Sequence, residues 1–389
     1  MNVELPTCLL EWIKLDNIHW DHLCKNPSEG AIQLLEKNQN KINWSRLCEN
    51  PSEGAMWLLE KNQDKIDWHW LSCNLSEHAM QLLAKNQDKI HWDWHWLSCN
   101  LSEHAMQLLA KNQDKIHWDW LSENPSEGAI RLLENNQDKI DWSRLSNNSF
   151  AMHLLEKNQD KIDWSRLSDN PSEGAMQLLK KNPNKIDWGW LSRNPSEGAM
   201  QLLEKNQDKI HWSRLSTNPS AIHLLEKNQD KIDWSELSKN PSERAIWLLE
   251  NNPNRINGHH LSSSKFKSAI QLLEKYPDKI NWLVLSGNTS EYAIKLLEKY
   301  PDKINWYHLY ENSSKGAIQL VEKYPIKKNP NKKKYKNTYK YLYQNPHIFN
   351  YDYKKMKQNC MLFKEDLIKN RFHPCNIPKF KDWRVNGFE

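Results

Sequence analysis

The stretch NPSEGAMWLLEKNQDKIDWHWLSC, residues 50–73, decides the fold. Four apolar side chains at helical spacing predict a first helix of about ten residues: Ala55, Met56, Leu58 and Leu59. Trp68 and Leu71 lie three positions apart and predict a second, shorter helix of about one turn, in α or 3₁₀ form. The stretch therefore encodes a pair of helices, one long and one short.

Polar residues indicate where each helix begins and ends. Asn50 is predicted to cap the long helix, with Pro51 at its first position and Glu53 reaching back to the cap. Asn62 is expected to end it in a left-handed conformation, followed by an extended Lys-Ile link. The short helix is expected to start at Asp67.

This unit recurs along most of the chain. Its Trp is found at positions 20, 44, 68, 92, 118, 142, 164, 188, 212, 234, 282 and 306, and Gly258 occupies one further register. These positions define 13 registers of about 24 residues. Helices this short are not stable alone, so the units must stack. The sequence predicts an all-α fold, an α-solenoid of 13 tandem helix and short-helix repeats.

Irregular steps in the repeat have visible causes. Residues 67–92 and 93–118 are identical, which indicates a duplication whose joint added two residues. Two units lack two residues just before the long helix, at 147–155 and 217–225. Because Gly258 removes the large side chain of its register, the weakest joint is predicted near residues 254–266. The other repeated Trp residues are expected to pack in the core rather than stack on a ligand.

Composition fits a thin layered structure. Of the 389 residues only 38% are hydrophobic, yet 21 are Trp, which argues against both a deep globular core and a disordered chain. Residues 1–325 carry 38 Lys and Arg against 44 Asp and Glu, whereas residues 326–389 carry 16 against 5. The repeat array is mildly acidic and the tail is basic.

Cysteine usage and hydropathy bear on the location. The seven Cys residues have no CxxC spacing, so neither a disulfide framework nor a zinc knuckle is expected. Cys24 and Cys48 replace the Ser of the unit and are expected to be small buried residues. The N-terminus has no convincing signal peptide, and no apolar run approaches the roughly 20 residues of a membrane span. We expect an intracellular protein without a membrane partner.

Enzymatic motifs are missing from the sequence: no nucleophile elbow, P-loop, GxGxxG, HExxH or kinase motif is present. His91, His117 and His211 stand where Asp or Asn usually precedes the repeat Trp, and are expected to be helix caps rather than metal ligands. Cys360, Cys375 and His373 lack a fourth ligand at sensible spacing. We expect no catalytic activity, no cofactor and no metal.

One position varies while the framework is nearly constant. The residue two after the repeat Trp is dominated by Arg and Trp, the types most enriched at binding hot spots. We call this series the variable strip, and its candidate partner-binding members are Arg46, Trp70, Trp96, Trp120, Arg144, Arg166, Trp190 and Arg214. The strip is interpreted either as a solvent face that drifts or as a ladder for an extended protein partner.

The basic tail offers a second candidate surface. Its first part, residues 326–344, interleaves Lys with Tyr and reads as a solvated linker, a nucleic-acid contact or a nuclear import signal. The candidate residues are Lys327, Lys328, Lys332, Lys333, Lys334, Tyr335 and Lys336. The second part, residues 345–389, is predicted to be a small helical C-terminal module. Residues 1–19 are predicted to be an N-terminal cap or partial repeat, and residues 20–325 the solenoid.

Two resemblances add to this. The alternation of a helix with a 3₁₀-like turn over 24 residues resembles the leucine-rich variant repeat, an α/3₁₀ superhelix. The near-identical NPSEGAIxLLEKNQDKIDWSRLS units, with NPHIFNYDYKKMKQNCMLFKEDLIKNRFHPCNIPKF at 345–380, resemble tandem-repeat proteins of giant nucleocytoplasmic large DNA viruses. That resemblance implies a viral origin and a place in the host cytoplasm, the nucleus or the virion. The expected function is a protein–protein interaction scaffold, with nucleic-acid binding through the tail as the alternative.

Overall fold

The computed structural model describes residues 6–86, 94–324 and 339–366. Along them, short and long helices alternate as the sequence predicts, so the all-α solenoid is confirmed. The paired helices are α1 Trp20–Cys24 and α2 Glu29–Lys37, α3 Trp44–Cys48 and α4 Glu53–Lys61, α5 Trp68–Ser72 and α6 Glu77–Lys85, α7 Trp94–Cys99 and α8 Glu103–Lys111, α9 Trp118–Glu123 and α10 Glu127–Glu134, α11 Trp142–Leu145 and α12 Met152–Lys157, α13 Trp164–Asp169 and α14 Glu173–Lys181, α15 Trp188–Arg193 and α16 Glu197–Lys205, α17 Trp212–Ser216 and α18 Ile222–Lys227, α19 Trp234–Leu237 and α20 Glu243–Glu250, α21 Gly258–Ser263 and α22 Lys267–Lys275, α23 Trp282–Gly287 and α24 Glu291–Lys299, α25 Trp306–Glu311 and α26 Lys315–Lys323.

Short 3₁₀ turns connect the helices. A turn at Leu15–Asn17 precedes α1. Between described helices, one turn links a long helix to the next short one at Gln39–Lys41, Gln63–Lys65, Gln113–Lys115, Gln137–Lys139, Gln159–Lys161, Pro183–Lys185, Gln207–Lys209, Gln229–Lys231, Pro253–Arg255, Pro277–Lys279 and Pro301–Lys303. The two shortened units begin their long helix with a 3₁₀ turn, Ser149–Ala151 and Pro219–Ala221. The short helices themselves are α-helical. The expected extended link is therefore a 3₁₀ turn, followed by an extended Ile such as Ile66.

The helix caps differ from the sequence interpretation in two respects. The long helix is capped by Ser52, whose side chain accepts a hydrogen bond from the N–H of Ala55, and not by Asn50, so Pro51 precedes the cap and Glu53 is the first helical residue. Asn62 is not left-handed, since its φ is −128°, and its side-chain amide donates to the Leu58 carbonyl. Asp67 caps the short helix as predicted, accepting from the N–H of Trp70.

The duplicated segment shows which Trp carries the repeat. Helix α7 begins at Trp94, in the position that Trp68 takes in α5. The assignment of this register to Trp92 was wrong: Trp92 lies outside the described residues, and the two added residues precede Trp94. The local sequence could not decide between two Trp residues two positions apart.

The core lies between the two helix layers. Ala55, Leu59 and Leu71 and their equivalents are fully buried, as are Cys24 and Cys48. Burial raises the pKa of Cys24 to about 11 and that of Cys48 to about 12. The repeated Trp residues pack against this core but are only partly buried.

A ladder of buried asparagine side chains joins successive units. The Asn50 amide donates to the carbonyls of Cys24 and Asn26 in the preceding unit, at 2.9 Å each. We call this series the amide ladder: Asn26, Asn50, Asn74, Asn100, Asn124, Asn148, Asn170, Asn194, Asn218, Asn240, Asn288, Asn312 and Asn345. The residue predicted to be a helix cap is thus the main polar link between units, because a buried backbone carbonyl needs a donor.

Two rungs of the amide ladder are irregular. Ser264 replaces Asn in the unit that also contains Gly258, and the Asn100 amide is buried without a hydrogen-bond partner among the described residues. A Cβ added to Gly258 would overlap the carbonyl oxygen of Lys279 in the next unit. The predicted weak joint near 254–266 stays a prediction, and the joint before Asn100 is a second candidate.

Residues 7–18 and residues 339–351 meet and complete one more unit. Residues 339–344 form a 3₁₀ helix that packs against both α25 and α1, and Pro346–Ile348 forms a further 3₁₀ turn. Strand β1, Thr7–Leu9, pairs antiparallel with strand β2, Phe349–Tyr351. Asn345 donates to the Asn312 carbonyl on one side and accepts, through its own carbonyl, from Asn26 on the other. We call residues 339–351 with 7–18 the closing unit.

Units that are narrower on one side give the array its curvature. On the short-helix side, the Asp187 N–H donates to Ser168 Oγ of the preceding unit at 3.0 Å. The backbones of the two units are therefore close enough to be joined through one short side chain. Along most of the array, successive short helices also pack against one another more closely than successive long helices do. The array therefore bends toward its short helices, which line the inner face of a closed ring, and the long helices form the outer face.

Ring closure involves the first part of the expected C-terminal module. The boundary expected at residue 344 falls inside the closing unit. The C-terminal module begins with a 3₁₀ turn and a strand, and helix α27, Tyr353–Asp366, follows them. Residues 367–389 lie outside the described residues.

Candidate interaction surface

The variable strip follows the short helices along the inner face of the ring. In each short helix except α21, which has Gly258 at the Trp position, Trp and Leu turn toward the core, as Trp68 and Leu71 do. The residue two after Trp points away from the core because it lies on the opposite side of the helical turn. The strip residues of successive units therefore lie at equivalent positions along the inner face.

Four members of the strip are exposed. The exposed fraction is 37% for Trp70 and 42% for Trp96, while the side chains of Arg46 and Arg166 are exposed by 44% and 48%. These residues are accessible to a partner, as a binding role for the strip requires.

Arg46 lies 5.9 Å from the centroid of the Trp70 ring, and the other four members form two closer stacked pairs within the protein. The guanidinium of Arg144 lies 4.4 Å from the centroid of the Trp120 ring, and that of Arg214 lies 4.7 Å from that of Trp190. All four side chains are half-buried. Part of the variation that suggested a partner is therefore explained by contacts between adjacent units.

Acidic neighbours neutralise the strip arginines to different degrees. Arg144 lies within 3.3–3.8 Å of three carboxylates, those of Asp119, Glu123 and Asp141. Arg166 has one carboxylate near it, that of Asp163, at 3.9 Å. Arg166 is thus the more available cation.

A cavity of about 280 Å³ opens between Arg166 and Trp190. At the corresponding place beside Trp120, the His95 ring fills the space, with its centroid 4.4 Å from the indole. Ser165 occupies the His95 position beside Trp190, and its short side chain leaves the space open. The exchange of His for Ser at the position directly after the repeat Trp therefore changes the shape of this surface from one unit to another.

The closing unit continues the strip, and the sequence analysis missed this. Tyr341 takes the strip position, and its ring lies 4.9 Å from that of His22, the strip residue of the first unit. The available signal was spacing: Tyr339-x-x-Leu342-Tyr343-x-Asn345 matches Trp306-x-x-Leu309-Tyr310-x-Asn312. Tyr in place of Trp, within a Lys-rich run, concealed the match.

His22 lies in an unusual electrostatic setting at this closure. Burial, helped by His19 and Lys340, lowers the pKa of His22 to about 4. Its Nδ1 lies 2.6 Å from the side-chain nitrogen of Gln344, so the neutral ring can accept that hydrogen bond. The closure is arranged around a neutral imidazole.

The remaining candidates are the basic tail residues and the candidate His and Cys residues. The basic residues Lys327–Lys336 and the pair Cys375 and His373 lie outside the described residues, as does His91. His211 caps α17 by accepting from the Arg214 N–H, whereas His117 occupies the cap position of α9 without a side-chain cap bond. In the described ranges, no three His, Cys, Asp or Glu side chains are placed to share a metal ion.

Two further findings concern membrane-spanning helices and similarity to known proteins. Among the described helices, none combines the length and the apolar character needed to cross a bilayer. In comparisons with protein-family models, with curated proteins and with solved structures, the chain matches none.

Proposed function

We propose that this protein is a non-enzymatic scaffold that binds a segment of another protein along the variable strip. The observation that supports this best is the ring itself: the strip runs around the inner face and meets itself at Tyr341 and His22. A repeat array multiplies one surface, which suits an extended partner that makes the same kind of contact in several units.

The exposed members carry the proposed contact. Trp70 and Trp96 come from adjacent units, and large aromatic side chains with Arg nearby are the usual anchors of protein interfaces. Arg166 supplies an accessible cation next to the Trp190 cavity. The stacked pairs would hold the surface in shape rather than form the anchors.

Selection from a displayed peptide library tests the proposal. The purified chain should enrich a common peptide motif, and the double variant Trp70→Ala with Trp96→Ala should bind the selected peptide about tenfold more weakly or worse. A matched control is Leu75→Ala with Leu101→Ala, which removes exposed apolar side chains from the corresponding units outside the strip. The control should bind as the unmodified chain does.

Three results would argue against the proposal: no enriched motif, equal loss of binding in both variants, or unfolding of the strip variant.

A salt-dependent gel shift tests the alternative function, nucleic-acid binding through the basic segment. A shift lost on changing Lys332, Lys333 and Lys334 to Ala, but kept in the strip variant, would favour that alternative. The chain should not be truncated at residue 326, because the closing unit would be lost with the tail.

A further inference from the structure

Two tryptophans on the outer face occupy the same position of two units but differ in what covers them. Trp57 in α4 is 40% exposed, and the Nζ of Lys61 lies 3.2 Å from its ring centroid. Trp247 in α20 is 55% exposed. Asn251 stands where Lys61 would be, and in the described ranges no Lys or Arg lies over the Trp247 ring. The Trp57 ring is therefore covered by the ammonium group of a Lys in its own helix, whereas the Trp247 ring has no such cover among the described residues.

A groove opens beside Trp247. It has a volume of about 580 Å³ and runs between α20 and α22, with Ile246 and Leu272 among its apolar lining. In other joints a glycine allows close approach, as Gly54 does against Ile32. Ser268 occupies the corresponding position here, so the same close contact is not made. The groove gives an incoming side chain room next to the exposed indole.

Charge around the groove favours a cation. Three carboxylates line it, those of Glu243, Glu250 and Glu274, against one Lys, Lys275. Lys275 pairs with Glu250, and Glu274 pairs with Lys299 of the next unit. The lining is net negative, and an aromatic face beside carboxylates attracts an ammonium or guanidinium group.

We infer that the Trp247 groove binds a Lys or Arg side chain presented by a basic segment of a protein partner. The incoming cation lies over Trp247 as Lys61 lies over Trp57, and the carboxylates of Glu243 and Glu250 flank it. This site lies on the outer face and does not depend on the variable strip, which lies on the inner face.

Fluorescence anisotropy with a labelled peptide of repeated Gly-Ser-Arg tests this, using the full chain and a Gly-Ser-Gln peptide as the neutral probe. Trp247→Gln should weaken binding of the Arg peptide by about fivefold or more. Gln is native at this position in other units, for example Gln177 and Gln201, so the fold should be kept. Asn251→Lys should weaken binding as well, because the new ammonium group would cover Trp247 as Lys61 covers Trp57.

Trp57→Gln is the matched control and should bind the Arg peptide like the unmodified chain, because its Trp is already occupied. The inference is overturned if the Arg peptide does not bind, or if Trp57→Gln and Trp247→Gln have equal effects. It is also overturned if Glu243→Gln weakens binding while Trp247→Gln does not, since that marks a diffuse acidic surface. Self-association that Asn251→Lys abolishes would make a second copy the occupant and overturn the separate partner. Thermal unfolding of each variant shows whether a loss of binding reflects a loss of fold.

Discussion

The side-chain amide of Asn26 donates to the backbone carbonyl of Asn345, 319 positions later in the chain, at 2.9 Å. The same bond joins Asn50 to Asn26, at the same distance. The contact that closes the ring is therefore chemically the contact that joins neighbouring units. Closure needs no special chemistry, only a segment at the right place with the right spacing.

Removing that contact should open the ring. In Asn26→Ala, the carbonyls of Tyr343 and Asn345 lose their donor, which should cost about 1–3 kcal/mol and free strands β1 and β2 to separate. Hydrogen exchange at residues 349–351 should accelerate, and small-angle scattering should show a larger radius of gyration. Asn194→Ala removes the same bonds inside the array and should destabilise the chain without separating its ends. Equal exchange at 349–351 in both variants would contradict closure through Asn26.

Restoring the missing rung should stabilise the joint near Gly258. Ser264→Asn supplies an amide that reaches the carbonyls of the preceding unit, as Asn288 does for Ser262 and Ser264. The free energy of unfolding should rise by about 0.5–1.5 kcal/mol, the usual net value of a hydrogen bond. Hydrogen exchange in residues 254–266 should slow toward that of residues 160–215. Ser263→Asn, at an exposed neighbouring position, should leave both quantities unchanged.

The repeated Trp should contribute through both packing and its cation. Lys185 lies 4.5 Å from the Trp164 ring centroid, and Trp164 is only partly buried. We expect Trp164→Ala to cost about 3 kcal/mol, at the low end of the range for a core aromatic residue. A double-mutant cycle with Lys185→Ala should give a coupling energy of about 0.5–1 kcal/mol. A coupling energy near zero would mean that Lys185 lies near the Trp164 ring without stabilising the fold through it.

Acid should weaken the closure through His22. The folded pKa is about 4, below the ordinary value of 6.5, so the unfolded chain binds this proton more readily. The stabilising neutral form is fully present above about pH 6.5, and stability is lost as the pH falls from there toward 4. His22→Gln should reduce the slope of unfolding free energy against pH in this window, whereas His69→Gln, at an exposed position, should not. The groups around His22 are His19, Asp21, Lys25 and Lys340, with Tyr341 and Gln344 from the closing unit.

The sequence by itself determined the unit. Ala55, Leu58 and Leu59 are buried as their spacing predicts, and Asp67 caps the short helix, because local patterns and caps act over a few residues. The candidate strip could also be located by comparing units with one another. Its internal stacking could not, since Arg144 and Trp120 meet only when neighbouring units are placed side by side.

Tertiary structure decided what the units build together. Asn50 reads as a cap from its neighbours in sequence, but its amide serves the carbonyls of another unit. Whether an array stays open or closes depends on a small difference in spacing between its two faces, summed over every unit. That difference comes from side chains packed between units, and residues 339–345 can complete the ring only because the sum brings Asn312 and Asn26 to either side of Asn345.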